Sequence, residues 1–373
     1  VASIKALCIT ADADRPTIAT FVGLHRAGVD VTVVCPPVVE NRRMLAAAGV
    51  RLLDLEFRGQ LDLAGIRRLR AELAGGRYDI LHVFSNKALQ NGLIAVRGLP
   101  VRLVAYRGIV GNVSFASPVS WLRFLNPRID RIVCVCDAVR DHFLHMRPSF
   151  LRMPPTRPVT IYKGHSLDWY TAVPADLRTV GIPPDAFVIV CVANYRPRKG
   201  IEVLVDALAE LPRDQPAHLL LVGHMDAPRL AKHIAESPVK DRIHRVGHRR
   251  DAPALAAACH VFVLPSIKRE GLARSLIEAM AYGVAPVVTD CGGNPELVVD
   301  GVSGLVVPVG DSGAIAGAIE RLYRNPELRL QLGAAARTRI GSDFRIENTV
   351  EQTLALYRGL VARGAEQGAP AGR

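Results

Sequence analysis

The chain has 373 residues, 49% of them hydrophobic and 22% charged, with a formal net charge of +12. That length exceeds what one hydrophobic core usually serves, so two domains are expected, and the composition excludes disordered and fibrous classes. No run of 18 apolar residues occurs, and "VASIKALCITADADRP" lacks the basic start and small-residue cleavage site of a signal peptide, so a cytoplasmic protein without a spanning helix is expected.

Charge is unevenly spread. Residues 1–170 hold 23 Lys/Arg against 13 Asp/Glu, whereas residues 171–373 hold 24 against 22. The positive field of the first part favours an anionic partner such as lipid headgroups or a phosphorylated glycan. No zinc-finger or RNA-recognition signature accompanies it, so nucleic acid is not expected. Seven scattered cysteines without a C-x-x-C spacing argue against a disulfide frame or a zinc site.

Along the chain, "IKALCIT" (4–10), "DVTVVCP" (30–36), "VRLLDL" (50–55), "YDILHVF" (78–84), "VRLVAY" (101–106) and "RIVCVCD" (131–137) read as buried strands. Helical stretches such as "PTIATFVGLHRAG" and "LAGIRRLRAELAGG" separate several of them, the pattern of a parallel sheet with crossover helices. "SPVSWLRFLNPR" (117–128) sets Trp121, Leu122, Phe124 and Leu125 beside Arg123 and Arg128, which suits either core packing or an interfacial helix on a membrane. The proline-rich "RMPPTRPVTIYKGHSLDWY" (152–170) breaks the rhythm and leads towards a linker.

A second series follows: "FVIVCVA" (187–193), "HLLLVG" (218–223), "RIHRVG" (242–247), "HVFVLP" (260–265), "APVVTD" (285–290) and "GLVVPVG" (304–310). In "GIEVLVDALAEL", Ile201, Leu204, Val205, Leu208 and Leu211 share one helical face. The boundaries read from this are a first domain 1–165, a linker 166–185, a second domain 186–344, a helix near 345–362 packing back on the first domain, and a disordered tail 363–373. Two doubly wound α/β domains bind ligands beyond the carboxyl ends of their strands.

Two short stretches carry chemistry. In "REGLARSLIEAMAYG" (269–283) a helix begins near Gly271 to Arg274, exposing N–H groups suited to an anion. Glu270 precedes that start and Glu278 lies inside the helix, where a dipole effect confined to the first turn explains it poorly. Two helical residues eight apart lie about 12 Å apart along the axis, beyond the roughly 5–9.5 Å of a glycosidase pair. The spacing suits two acids that hold different hydroxyls of one long ligand. In "VANYRPRKGIEVLVDAL" (192–208), Arg196, Arg198 and Lys199 follow a strand beside a helix start, a setting for a pyrophosphate. Arg196 and Lys199 are the favoured pair.

These elements, E-x7-E in "EGLARSLIE", "RPRKG" after a strand, and "TDCGGNPELVVDGVSGLVVP" (289–308), closely resemble in that order the retaining glycosyltransferases of family 4, with the GT-B fold. The resemblance is close over about 187–310 and looser before it. It implies two Rossmann-like domains with parallel sheets facing across a cleft. It further implies that Arg196 and Lys199 hold the donor diphosphate, Glu270 binds the sugar near the reacting face, Glu278 accepts the ribose hydroxyls, and the N–H groups of Gly271 and Leu272 add donors. No metal or other cofactor is implied, and "ADAD" (11–14) reads as a loop rather than a metal motif. The implied activity is retaining transfer of a hexosyl or N-acetylhexosaminyl group from a nucleotide sugar to a lipopolysaccharide, cell-surface polysaccharide or glycolipid acceptor, with peripheral contact to the cytoplasmic face of an inner membrane. An epimerase, a transferase for small soluble acceptors, and a non-catalytic nucleotide-sugar binder are the alternatives.

The N-terminal part departs from the family. There is no glycine in "ADADRPT", Arg107-Gly108 stands where a His-Gly pair is usual, and Lys163-Gly164-His165 replaces Asn-Gly. Arg15, Arg107 and His165 are therefore the candidate acceptor contacts.

Overall fold

The structure, a computed structural model, describes residues 3–11, 14–36, 42–148, 150–212 and 214–368. The chain forms two compact units, one of residues 1–164 and 344–373, the other of residues 165–343.

The first unit is built on seven parallel strands: β1 (Lys5–Ile9), β2 (Asp30–Val34), β3 (Arg51–Leu52), β4 (Ile80–Val83), β5 (Arg102–Arg107), β6 (Arg131–Cys134) and β7 (Pro158–Thr160). Their order is β3-β2-β1-β4-β5-β6-β7. The apolar runs of β1 and β4 are buried throughout their central positions, as strands covered on both faces must be. Two details differ from the sequence reading. The third strand shrinks to two residues at the sheet edge, paired only through Thr32 with Arg51 and Val33 with Leu52. The proline-rich approach to the linker contributes β7, where Pro158 takes the first position of an edge strand and its missing N–H costs no ladder bond.

The second unit holds β8 (Phe187–Val192), β9 (Ala217–Val222), β10 (Ile243–Arg245), β11 (Val261–Leu264), β12 (Ala285–Thr289) and β13 (Leu305–Val307), all parallel, in the order β10-β9-β8-β11-β12-β13. The helix Ile201–Glu210 buries Ile201, Leu204, Val205 and Leu208 against this sheet, on the face read from its periodicity. Two doubly wound parallel sheets are thus the architecture. In each, chain order reverses once, between β1 and β4 and between β8 and β11. The carboxyl ends of the strands at such a reversal are the usual ligand position in such sheets.

The last helix, Ile346–Gly368, belongs to the first unit. The tail expected from 363 is therefore helical as far as Gly368, and 369–373 lie outside the described residues. Tyr357 of this helix is fully buried, with its hydroxyl 2.8 Å from His82 Nδ1 on β4. No partner reaches His82 Nε2 among the described residues. Among those residues, no helix is long and apolar enough to cross a membrane. All seven cysteines are buried free thiols.

His82 gives the first unit a pH dependence. Burial pushes its pKa down to about 3, whereas an unfolded histidine titrates near 6.5. Between those values the unfolded chain binds the extra proton, so stability falls as pH drops, by about 2 kcal/mol between pH 7 and pH 5. We expect His82→Gln to be less stable at pH 7 but to lose about 2 kcal/mol less over that interval in urea titrations. Parallel pH profiles for the two proteins would contradict this.

Candidate functional site

The second unit places the sequence-derived residues at its topological switch point. β8 runs into a 3₁₀ turn, Pro197–Lys199, and then Gly200 opens the helix Ile201–Glu210. β11 runs into the loop 265–273, after which the helix Arg274–Ala281 begins. Because β8 and β11 are neighbours, the two loops meet. Lys199 Nζ lies 2.7 Å from Glu270 Oε2, with the side chains 16% and 11% exposed. Ser266 Oγ donates to the same oxygen at 2.6 Å. Both bonds fall on Oε2.

The loops are held by their backbones. Ile267 N–H donates to Arg198 O at 2.8 Å. Gly200 has φ +65°, and a Cβ there would lie 2.1 Å from Pro265 O. On the other side, the loop after β12 closes on Glu270: Gly292 has φ +57°, and a Cβ there would lie 2.1 Å from Glu270 O. Thr289 Oγ1 donates to Ser266 O at 2.5 Å. Arg269 has φ +63°, a conformation uncommon outside glycine and found where neighbouring structure imposes it. Glycines and hydroxyls thus fasten three loops around one carboxylate.

The other expected donor residues surround this pair. Arg196 is exposed at the mouth of the 3₁₀ turn. Gly271 is buried and Leu272 half-buried in the stretch before the helix. The helix starts at Arg274, at the far end of the span read from the sequence, so Glu270 sits in the loop and only Glu278 is helical. Glu278 is half-buried, and Arg274 Nε approaches its Oε1 at 3.5 Å. Burial raises the Cys191 thiol to about 12 and lifts Cys291 above its ordinary value, so neither thiol beside the pair is a ready nucleophile at neutral pH.

Comparison with known proteins agrees with this fold. Residues 174–339 match the family model described as Glycosyl transferases group 1, and residues 19–164 match Glycosyl transferase 4-like domain. The chain belongs to glycosyltransferase family 4. The enzyme is 28% identical over 317 residues to the α-maltose-1-phosphate synthase of Mycobacterium tuberculosis H37Rv, covering 79% of this chain and 77% of that one. It is 28% identical over 325 residues to the phosphatidyl-myo-inositol mannosyltransferase of Mycobacterium leprae, covering 84% and 83%. Its fold matches the Anabaena Alr3699/HepE structure in complex with UDP-glucose at a TM-score of 0.76, with 21% identity over 95% of this chain and 99% of the other.

The acceptor-side candidates of this glycosyltransferase fare differently. Arg107 is buried; its guanidinium donates to Ile109 O and Gly111 O and lies 5.0 Å from the Phe124 ring centre. That environment makes it an anchor of the loop after β5 rather than an open contact, and burial lowers its pKa to about 10. His165 is also buried, with Nδ1 2.5 Å from the Tyr170 hydroxyl. Arg15 alone of the three is exposed, at the start of the helix Arg15–Arg26. Of "ADAD", Asp12 lies outside the described residues. Asp14 caps that helix through Thr17 N–H and pairs with Lys163 Nζ at 2.6 Å. Burial raises its pKa, but the Lys163 charge and the hydrogen bonds from Lys163 and Thr17 outweigh this and hold the carboxyl below its ordinary value.

Sequence reasoning missed two features. A cleft of about 620 Å³ opens beyond the ends of β1, β2 and β4, lined by Thr10, Arg42, Arg58, Arg68 and Lys87 among others. These cations are scattered over 46 positions and carry no motif. In the second unit, His224 and His248, on the loops after β9 and β10, stack at 5.1 Å between ring centres. Only the strand order brings them together.

Gly200→Ala tests the loop fastening. The left-handed backbone alone costs a non-glycine residue about 1–2 kcal/mol, and the Pro265 carbonyl contact adds to it. We expect a loss of about 2 kcal/mol or more in denaturant titration and weaker nucleotide binding. Unchanged stability would show that the two loops are not locked as described.

Proposed function

We propose that this glycosyltransferase moves a hexosyl or N-acetylhexosaminyl group, with retention and without a metal ion, from a nucleoside-diphosphate sugar to a lipid-linked or cell-surface glycan acceptor such as lipopolysaccharide. The Lys199–Glu270 pair at the switch point carries the reading. Without donor, Glu270 neutralises Lys199. A diphosphate entering beside Lys199 and Arg196 competes for that cation and frees Glu270 to accept hydrogen bonds from sugar hydroxyls. Gly271 and Leu272 supply N–H donors at the phosphate or sugar, and Glu278 accepts the ribose hydroxyls. The complex of the Anabaena neighbour with UDP-glucose supports a nucleotide-sugar donor.

Two cations beside the leaving diphosphate stabilise charge as it develops, which is how a preorganised polar site accelerates bond breaking. They fill the role that a divalent cation fills elsewhere. The acceptor hydroxyl oxygen bonds to the anomeric carbon on the face from which the phosphate oxygen departs, and a phosphate oxygen takes its proton. Configuration is thereby retained without a separate general base.

The lipid-linked acceptor is supported by the likeness to a phosphatidyl-myo-inositol mannosyltransferase along most of both chains, together with the basic first part. The comparable likeness to α-maltose-1-phosphate synthase favours a second reading, a small soluble acceptor. An acceptor panel separates them: transfer only to lipid-linked glycans supports the first, transfer to free sugars or sugar phosphates the second.

For the donor site, we expect Lys199→Ala to weaken nucleoside-diphosphate binding about ten- to hundredfold, the worth of a charge-assisted hydrogen bond of about 1.5–3 kcal/mol. Glu270→Gln should bind the nucleoside diphosphate normally yet lose most of kcat. Turnover should survive EDTA, and NMR of the product should show the donor's anomeric configuration. Calorimetry finding unchanged affinity in Lys199→Ala, or an inverted product, would overturn the assignment.

A further inference from the structure

A cluster of arginines closes the amino end of the first sheet, away from the strand ends that usually hold ligands. Arg102 opens β5, Arg131 opens β6, and Arg157 immediately precedes β7. The register aligns Val104 with Arg131 and Ile132 with Pro158, and Ile132 N–H donates to Arg157 O at 2.8 Å. Side chains alternate between faces along a strand, so Arg102, Arg131 and Arg157 are set on one face of the sheet. Two residues further along each strand, on that same face, Val104, Val133 and Val159 pack in the core with Tyr357 and Leu360 of the helix Ile346–Gly368. Arg363 follows Leu360 by three residues, nearly one turn, and brings a fourth guanidinium to the same edge.

A single carboxylate answers them. Asp130 pairs with Arg102 and with a fifth arginine, Arg128, each at 3.1 Å, and accepts Leu103 N–H at 2.8 Å. Among the described residues, no carboxylate pairs directly with Arg131, Arg157 or Arg363. Arg131 Nη1 donates to a backbone oxygen, Asp130 O, at 2.7 Å, and Arg157 Nη1 turns to the weak acceptor Met153 Sδ at 3.8 Å. Burial, followed by the charges of Arg363, Arg102 and Arg157, pushes the Arg131 guanidinium below its ordinary value, and the opposing pull of Asp130 does not offset them. Like charges held together and partly withdrawn from water are costly until an anion shares them.

We propose that this edge is an anion site, which takes a compact, multiply charged phosphate such as an inorganic oligophosphate between β5, β6, β7 and the last helix. Guanidinium forks match phosphate oxygens in pairs and keep their charge throughout the physiological pH range. The cluster is recessed: the Arg102 and Arg128 side chains are 25% and 31% exposed, and Arg131 and Arg157 are half-buried. Recessed cations that converge on one point suit a small ion, whereas an extended polyanion is met by cations spread along its backbone. Arg363 belongs to the last helix and the other arginines to the sheet, so a bound phosphate bridges the two and fastens that helix to its unit. β5 has six residues, which sets the site about 20 Å from the carboxyl end of that strand, at about 3.3 Å per residue. The donor residues belong to the other unit, and the inference does not rest on their assignment.

Sodium tripolyphosphate is titrated calorimetrically into the full chain carrying Lys199→Ala, which weakens phosphate binding at the donor residues. We expect saturable binding of one anion per chain that persists when sodium chloride is added to a matched ionic strength. Arg131→Ala with Arg157→Ala should weaken it at least tenfold, the worth of about one charge-assisted hydrogen bond. Because that change removes unpaired like charges, thermal stability should not fall. In a chain with Lys199 intact, the double substitution should leave nucleoside-diphosphate affinity unchanged. Arg363→Gln, at an exposed position, tests the bridge without disturbing packing. Tripolyphosphate should slow hydrogen exchange in residues 354–363 of the Lys199→Ala chain, and Arg363→Gln should abolish that slowing. Binding that the double substitution leaves unchanged would overturn the proposal, as would binding that matched sodium chloride abolishes, the behaviour of a merely screened surface. Slowed exchange that survives Arg363→Gln would overturn the bridge to the last helix.

Discussion

The site depends on one ion pair. Lys199 and Glu270 are 71 residues apart and meet because β8 and β11 are neighbours where the chain order of the second sheet reverses. Both side chains are largely withdrawn from water, where an unpaired charge is costly and a paired one strongly oriented. A pair of this kind adds little net stability against an apolar replacement, but it stores a cation in a position that an incoming anion can claim. The surrounding structure keeps it there: Gly200 and Gly292 allow backbones to touch, and Ser266 fixes the carboxylate from behind.

The two sheets share a plan and differ in chemistry. In the second unit the switch point holds a compact, hydrogen-bonded pair, suited to a diphosphate and the sugar attached to it. In the first unit the corresponding region opens into a wider cleft, with Arg42 committed to Asp54 at 2.6 Å and Lys87 to Phe57 O at 3.0 Å. Its cations are dispersed over several elements.

Much of this was legible in the sequence, and for definite reasons. Continuous Val/Ile/Leu runs announce strands covered on both faces, so β1, β2, β4 and β8 were readable, whereas the edge strand β3 was read longer than its two residues and the proline-led edge strand β7 was not read. "RPRKG" and "EGLARSLIE" marked the residues of the candidate site because local strand–loop–helix order already places them at a sheet's carboxyl edge. The pairing of Lys199 with Glu270 was beyond reach, since strand order is a long-range property. Arg107 misled for a similar reason: an arginine where the family usually has histidine reads as a ligand contact until the carbonyls of Ile109 and Gly111 are seen to occupy it. Whether Trp121 or Phe124 faces water turned on a helix of only four residues, too short for periodicity to decide.

The most direct measurement is a crystal structure of the enzyme with a nucleoside-diphosphate sugar. The account predicts the diphosphate within hydrogen-bond distance of Lys199 Nζ, the Lys199–Glu270 contact lengthened, and the Glu270 carboxylate turned to the sugar hydroxyls. A nucleotide bound elsewhere, with the 2.7 Å pair intact, would contradict it.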